Sequence, residues 1–427
     1  MSVLIQSSLM IILLISTMFF LLTKLINITK FNVSLLFILT GLWIVSGLLG
    51  ISIIKEGGNW KWPILIGSSQ LTQAVFRIPL GILSQKLKSR KIPIIIALVV
   101  MCLMSFSLLF TVSYSSLLIA SIGLGFFGAT YGLQNQYWSE NWSIRNTFIT
   151  TGLIMTISFL GKYVASVVDQ SLTIDVDSLK WTMTGMLGLA SIILFIYIIF
   201  HKEKTETILL DNKSSYASNV SEMTLKHIAI FSTMIIFSTI GVIAIKSSQL
   251  VKYSDNTLLT MTGWTVTVIT GLLTAFILIR IIDDRIINFI SHIIMAFGII
   301  LMIISLFAVN SITLSFIGLM FAIAGLSIYT TSMFGMMLHI DHKNTLLVLG
   351  IWLTVKSISI GMGQIIGGEV NIYAPINSKY LLIVSLVFVV ISLIIIKLTY
   401  KYTKPGFDLI EELEYSNNHK KNFSEWK

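Results

Sequence analysis

Thirteen apolar stretches of about 20 residues each are the feature that most limits what this chain can fold into. A stretch of that length crosses a bilayer as a helix, because the backbone must satisfy its own hydrogen bonds in lipid. Only 11% of the residues are charged, against roughly 25% in a soluble domain, which excludes a soluble enzyme, a disordered chain and a nucleic-acid binder. The sequence therefore predicts an all-α polytopic membrane protein. The predicted spans are 3–23, 33–54, 62–83, 92–112, 115–138, 147–168, 180–200, 227–246, 258–279, 286–308, 311–337, 345–368 and 378–397.

The positions of lysine and arginine predict the orientation, because short cytoplasmic loops carry an excess of both. With the central polar loop and the C-terminus on the cytoplasmic side, 20 of the 29 basic residues lie inside and six lie outside. The other three fall within spans. This distribution predicts a multi-pass protein of the cell membrane with a cytoplasmic C-terminus.

The polar segments divide the chain into five parts. The first span lacks the basic start of a signal peptide and is too long for one, so it is interpreted as an uncleaved extra helix unless the start codon is wrongly chosen. The lone Cys102 lies in an apolar run, which leaves no disulfide framework and no cysteine metal site. The predicted parts are the extra helix 1–30, a six-helix half 31–201, a cytoplasmic loop 202–226, a second six-helix half 227–400 and a cytoplasmic tail 401–427.

An internal repeat supports two similar halves. Arg145-Asn146-Thr147 and Lys343-Asn344-Thr345 each open a span, each precede a glycine by five residues, and lie 198 residues apart. Tyr131 and Tyr329 have the same separation. Six plus six helices about a basic loop are typical of a transporter.

The segment Gly81–Lys91 (GILSQKLKSRK) resembles a loop motif of the major facilitator superfamily, in which a glycine is followed by an aspartate-basic pair and a basic cluster. Here Gln85 stands where the family usually has aspartate, and Lys88 where it has glycine. The second half keeps a carboxylate-basic pair, Asp284-Arg285. The resemblance implies a gating loop formed by Gly81, Gln85, Lys86, Arg90, Asp284 and Arg285.

A second resemblance to this superfamily covers Gly125-Phe126-Phe127-Gly128, followed by Trp138, Arg145 and Gly152. Small residues there allow close helix packing. The resemblance extends over about residues 30–400. It implies a divergent member of the family, built as two six-helix halves of 12 spans plus the extra N-terminal helix, that works as a monomeric transporter without a cofactor.

Three basic residues inside the predicted spans carry the expectation about substrate: Arg77, Lys162 and Lys356. A charge at a helix centre costs roughly 2.5–3.5 kcal/mol on insertion scales. All 19 acidic residues fall in loops, tails or span ends. The three cations therefore need water, backbone carbonyls or an anionic ligand.

Arg77 and Gln73 lie one helical turn apart and can contact one ligand together. A guanidinium offers paired donors that match an oxyanion. Alternatively, Arg77 snorkels to the interface or bonds the carbonyls of a neighbouring helix. The run Arg77–Gly81 also resembles the second helix of nitrate/nitrite porters, but their later glycine-rich signature is absent, so nitrate itself is not supported.

Lys356 lies near the middle of its span and is predicted to bind substrate or take part in gating. Lys162 lies closer to the outer face, where outward snorkelling competes with a role in binding. Polar residues that could complete the cavity are also candidates for helix-packing hydrogen bonds. The predicted substrate-binding residues are Arg77, Lys356, Gln73, Lys162, Tyr131 and Gln134, with Asn135 and Gln364 as further cavity candidates.

The sequence offers no titratable residue for proton coupling inside the membrane, because His292 and His339 are placed near loop ends and no acidic residue lies in the middle of a span. No Walker loop, HExxH motif or nucleophile elbow occurs. The chain is therefore expected not to be an enzyme, to bind no metal and to contact only the bilayer and a small solute.

Three functions remain. The leading one is a secondary transporter that moves a small anion or phosphorylated metabolite by alternating access, through exchange or facilitated diffusion. The alternative is an exporter of neutral or cationic compounds, with Trp43, Trp264 and Trp352 lining the cavity. The remote third is a polytopic membrane enzyme, for which clustered catalytic residues are lacking.

Overall fold

Within the parts of the chain that the computed structural model describes, the backbone consists of helices and the turns that join them. The described ranges are 64–110, 113–141, 221–252, 257–278, 284–309, 311–340, 345–373 and 378–399, with isolated positions at 43, 46, 47, 49, 50, 158 and 282. The predicted spans 3–23 and 180–200, nearly all of 33–54 and 147–168, and Lys162 lie outside these residues.

Eleven helices are defined within these ranges. The helix α7 continues as a π-helical turn, Thr274–Leu278, and α8 as another, Ser305–Val309. The helices are α1 (64–86), α2 (Lys91–Ser105), α3 (Ser107–Phe110), α4 (Tyr114–Ala129), α5 (Tyr131–Asn141), α6 (Ser221–Lys252), α7 (Thr257–Leu273), α8 (Asp284–Ile304), α9 (Ile312–Ile340), α10 (Thr345–Tyr373) and α11 (Ser378–Thr399).

Every predicted span that falls within these ranges is helical. By length and composition alone, four of the described segments are sufficient to cross a membrane: Tyr114–Asn135, Ile286–Val309, Ile312–Met333 and Lys379–Leu398. The largest shift of a boundary is in α6, which begins at Ser221, inside the predicted loop 202–226. The all-α prediction is confirmed for these residues, whereas the count of 12 plus one spans remains a prediction.

The distribution of polar and apolar side chains in α11 is that of a helix facing lipid. Val387 and Leu398 are exposed, whereas Ser385 and Ser392 on the opposite side are buried. The Ser392 hydroxyl donates to the Met234 carbonyl of α6 at 3.0 Å. A soluble helix would expose its serines and bury its leucines, so the exposed apolar face needs lipid around it.

Glycines bring the helices α8 and α9 into close contact. A Cβ atom added at Gly298 would lie 2.6 Å from the backbone nitrogen of Ala322, and one at Gly318 would lie 2.7 Å from Met302 Cγ. No real side chain fits at either point, so the absence of a Cβ permits this packing.

The helices α1 and α10, which come from the two predicted halves, pack against each other in antiparallel fashion along much of their length. Gly67 faces Ile365 near one end, where a Cβ atom added to the glycine would lie only 2.7 Å from Ile365 Cγ1. Near the other end, a Cβ atom added to Gly350 would lie 4.0 Å from Ile78 Cγ1. This packing places the side chain of Arg77 between the two predicted halves.

Candidate functional site

The predicted gating loop forms a compact helix end. Lys88 has a left-handed backbone (φ 50°), and its N–H donates to the Gln85 carbonyl at 3.2 Å while the Ser89 N–H donates to the Ser84 carbonyl at 3.2 Å. These two bonds make a Schellman motif, whose left-handed position is usually glycine. The departure from the family pattern at Lys88 thus falls where glycine would be least strained.

The side chain of Arg90 folds back onto the last turn of α1. Its side chain is buried, and Nη1 donates to the Ser84 hydroxyl at 3.1 Å. Gln85 and Lys86 are exposed, and a Cβ at Gly81 would meet nothing within 4 Å. The backbones of Asp284 and Arg285 open α8, but their side chains lie outside the described residues. A gating role for these six residues remains a prediction.

The guanidinium of Arg77 is buried where three helices meet, with 5% of the residue exposed. Its Nη1 donates to the Ser357 hydroxyl at 2.7 Å and to the Leu353 carbonyl, both on α10. Its Nη2 donates to Gln73 Oε1 at 3.3 Å and to the Gly128 carbonyl at 3.2 Å. The four acceptors are neutral, so the hydrogen-bonding capacity is largely met while the charge is not compensated by them.

The acceptor on α4 depends on the end of that helix. The carbonyl of Gly128 is among the last four of α4, which lack the regular partner four residues on; it accepts a backbone N–H at the C-cap and can also accept from Arg77. Gly128 also makes room for Gln73, because a Cβ there would lie 2.6 Å from the Gln73 amide. The absence of a side chain at Gly128 therefore leaves the space in which Gln73 lies beside Arg77.

Arg77 and Gln73 therefore lie in contact, as predicted. Arg77 also donates hydrogen bonds to carbonyls of neighbouring helices, which is the alternative given for it in the sequence analysis. Gly128, Leu353 and Ser357 were not predicted to take part. Ser357 adjoins the predicted Lys356, and that polar pair in an apolar span is the signal that could have found it. The two carbonyls carry no signal of their own in the sequence.

Tyr131 lies beside this cluster at the start of α5. Its ring meets Trp43 edge-on, with centroids 5.7 Å apart, and its hydroxyl hydrogen-bonds with the side chains of Asn135 and Ser158 within electrostatic range of Arg77. Gln134 is buried, with Nε2 donating to the Thr130 hydroxyl at 2.9 Å and Oε1 without a hydrogen-bond partner. Of the two predicted residues on this helix, Tyr131 is thus within electrostatic range of Arg77, and Gln134 is buried one turn further along.

Lys356 lies on α10 beside Ser357. Its Nζ is 5.6 Å from the centre of the Trp352 ring, one helical turn earlier, in a cation–π contact worth about 0.5–2 kcal/mol. Trp352 is fully buried and Trp43 packs against Phe127 and Tyr131. These two tryptophans therefore pack between helices, whereas the exporter alternative expects them to line a cavity.

His292, predicted to lie near a loop end, is eight residues from the start of α8. His292 is fully buried in the segment Ile286–Val309, which is long and apolar enough to cross a membrane, and its ring meets that of Tyr329 edge-on with centroids 4.6 Å apart. The reason is the glycine-mediated approach of α8 and α9, which encloses this turn of α8. A titratable group is thus buried between two helices of the described part of the chain, within which no group of three or more metal-ligating residues occurs.

Comparison with known families gives a match over most of the chain. The sequence model of the Major Facilitator Superfamily matches residues 59–363, which include Arg77, the loop motif and all but the end of α10. A search of curated proteins finds no match.

Several solved structures of membrane transporters share this fold. A variant of the fucose:proton symporter of E. coli has a TM-score of 0.61 and 18% identity over 87% of this chain and 98% of its own. A proton:xylose symporter with a bound bromo-deoxyglucose has a TM-score of 0.66 and 12% identity, covering 88% and 97%. The human organic anion transporter MFSD10 has a TM-score of 0.63 and 10% identity, covering 84% and 98%. At these identities, the similarity shows the fold alone.

Proposed function

Because the chain belongs to the major facilitator superfamily, whose members are membrane transporters, we propose that it moves a small anion or phosphorylated metabolite across the cell membrane by alternating access. Arg77 and Lys356 are the proposed electrostatic ligands, assisted by Gln73, Tyr131 and Gln134. Transport is secondary active or facilitative, and the chain is not an enzyme.

The observation that carries the proposal is a buried guanidinium whose four acceptors are all neutral. A cation in a low-dielectric interior costs several kcal/mol unless it is paired with an opposite charge. An oxyanion supplies that charge and fits the paired donors of a guanidinium. A neutral or cationic substrate supplies neither, which makes the exporter alternative the weaker one.

The position of Arg77 links binding to movement of the halves. Two of its four hydrogen bonds cross from α1 to α10, and these helices belong to different predicted halves. When α10 moves away from α1, both Nη1 hydrogens become available to a ligand. An anion bound there would take the place of the contact between the halves, so binding and rocking are coupled.

A ligand-stabilisation screen on purified protein tests the proposal. Inorganic phosphate and glycerol 3-phosphate are expected to raise the melting temperature, and tetraphenylphosphonium is expected not to. Arg77→Gln should abolish the shift caused by the anions. Lys397→Gln, which removes an exposed cation from the last turn of α11, is the matched control and should keep it. Stabilisation by the cation alone would favour the exporter.

A further inference from the structure

One buried titratable group has no role in the proposed anion site. His292 Nδ1 lies 2.8 Å from the Asn288 carbonyl oxygen, one turn earlier in α8. A carbonyl oxygen can only accept, so Nδ1 carries the hydrogen and Nε2 presents a lone pair. That Nε2 atom is buried and has no hydrogen-bond partner.

The side chain that faces this imidazole is also incompletely bonded. Tyr329 on α9 is fully buried, and its hydroxyl has no hydrogen-bond partner. Among the described helices, α9 and α11 pack against α8. Of their described side chains, Tyr329 is the titratable group at the ring, while those of α11 are exposed: Lys379, Tyr380 and Lys397.

From this geometry we propose that His292 Nε2 is a proton-binding site, through which transport of the anion is coupled to transport of a proton. The Nε2 lone pair takes up a proton to give an imidazolium, and release breaks the same N–H bond and returns the pair to nitrogen. The Nδ1–H bond to the Asn288 carbonyl persists in both states. The identity of the co-transported solute rests on the proposed function, whereas the proton site does not.

The surroundings support reversible protonation. The imidazolium would lie within about 6 Å of the Tyr329 ring, the range of a cation–π contact. Burial opposes the charge, so the proton is not held permanently. The added charge lies in the same predicted half as Lys356 and would strengthen the attraction of that half for an anion. By linkage, a bound anion would then favour the proton equally.

Histidine-specific ¹⁵N NMR of the purified full chain tests the proton site without a substrate. The chain has six histidines. At neutral pH one of them should show the neutral Nδ1–H form, and acidification should convert it reversibly to imidazolium. That signal should be absent from His292→Gln and present in His339→Gln, the matched control. If the signal keeps its neutral shift down to the pH at which the protein unfolds, the proton site is refuted.

A second variant guards against misfolding of His292→Gln. In Tyr329→Leu the histidine remains, but the loss of the aromatic ring current should move its signal, which assigns it without removing it. If no histidine signal moves in Tyr329→Leu, the pairing on which the proposal rests is absent in solution and the proposal fails.

Coupling is measured in proteoliposomes with glycerol 3-phosphate as the labelled probe. An inward proton gradient should accelerate net uptake by wild-type protein at least several-fold. His292→Gln should lose that acceleration and retain exchange at equal pH, whereas Arg77→Gln should lose both. Equal acceleration in wild type and His292→Gln, or none in wild type, refutes coupling. If no probe is transported at all, the anion proposal fails and the NMR titration still decides the proton site.

Discussion

The two predicted halves place equivalent tyrosines beside two different basic residues. Tyr131 lies close to Arg77, which carries its charge at every accessible pH, and Tyr329 lies against His292, which can be neutral. The hydroxyl of Tyr131 is hydrogen-bonded, and that of Tyr329 is not. One repeat position therefore supports a permanent charge in one half and a switchable group in the other.

The number of hydrogen bonds follows from that difference. A permanent charge inside a membrane protein requires many acceptors, and Arg77 obtains four from its own helix and two others. A neutral imidazole requires few, and His292 uses the Asn288 carbonyl of its own helix. The first arrangement joins elements and resists change, whereas the second leaves a site open to a proton.

The strongest disturbance of the first half should be Arg77→Gln. A hydrogen bond to a charged group is worth about 1.5–3 kcal/mol, so anion affinity should fall by roughly 10- to 100-fold. Ligand-induced melting shifts over a series of glycerol 3-phosphate concentrations measure the change. Arg77→Lys keeps the charge without the paired donors, so its anion affinity should lie between those of wild type and Arg77→Gln. An affinity equal to wild type in both variants would place the anion elsewhere.

The next effect should come from Gly128→Ala. The new methyl group would lie 2.6 Å from the Gln73 amide, so this side chain must move and Arg77 loses one acceptor. The displaced amide is the end of a flexible side chain, so the expected cost is that of the lost hydrogen bond, about 1 kcal/mol, measurable by unfolding in mixed detergent. Gly263→Ala is the control, because its methyl group would meet Ile323 at an ordinary 3.5 Å. Equal stability of the two variants would show that Gly128 does not position Gln73.

A matched pair of tyrosine variants compares the halves directly. Tyr131→Phe removes a hydroxyl that bonds with Asn135 and Ser158, and should lower the free energy of unfolding by about 1 kcal/mol. Tyr329→Phe removes a hydroxyl without a partner and should leave stability unchanged or slightly raised. A larger loss of stability in Tyr329→Phe than in Tyr131→Phe would contradict the difference in hydrogen bonding between the two hydroxyls.

The smallest expected effect is at the loop that ends α1. Lys88→Gly relieves a left-handed backbone that costs a non-glycine residue about 1–2 kcal/mol, and the added flexibility of glycine offsets part of it. A net gain of roughly 0.5 kcal/mol is expected in mixed-detergent unfolding. Lys86→Gly, in the last turn of the same helix, should instead be destabilising by a similar amount. Two changes of the same sign would argue against the Schellman geometry.

The helices were predictable because hydropathy over 20 residues reports membrane burial directly. Arg77 with Gln73 was predictable for a similar reason, since a cation in an apolar span is rare and residues four apart share a helix face. The helix ends were less predictable. The helix α6 extends into the predicted loop because polar residues continue a helix beyond the membrane.

The partners of these residues were not predictable from local pattern. Leu353 and Ser357 lie about 280 residues from Arg77, and a backbone carbonyl has no signature of its own. The burial of His292 depends on how closely α8 approaches α9. A polar face formed by Asn288, Ser291 and His292 in an apolar span was the available signal.

Uptake of labelled glycerol 3-phosphate into proteoliposomes, compared among wild type, Arg77→Gln and Lys397→Gln, tests most directly the claim that a buried cation at the junction of the halves binds an anion. We expect wild type and Lys397→Gln to transport it at similar rates and Arg77→Gln at a tenth of that rate or less. Unchanged uptake in Arg77→Gln would contradict the claim.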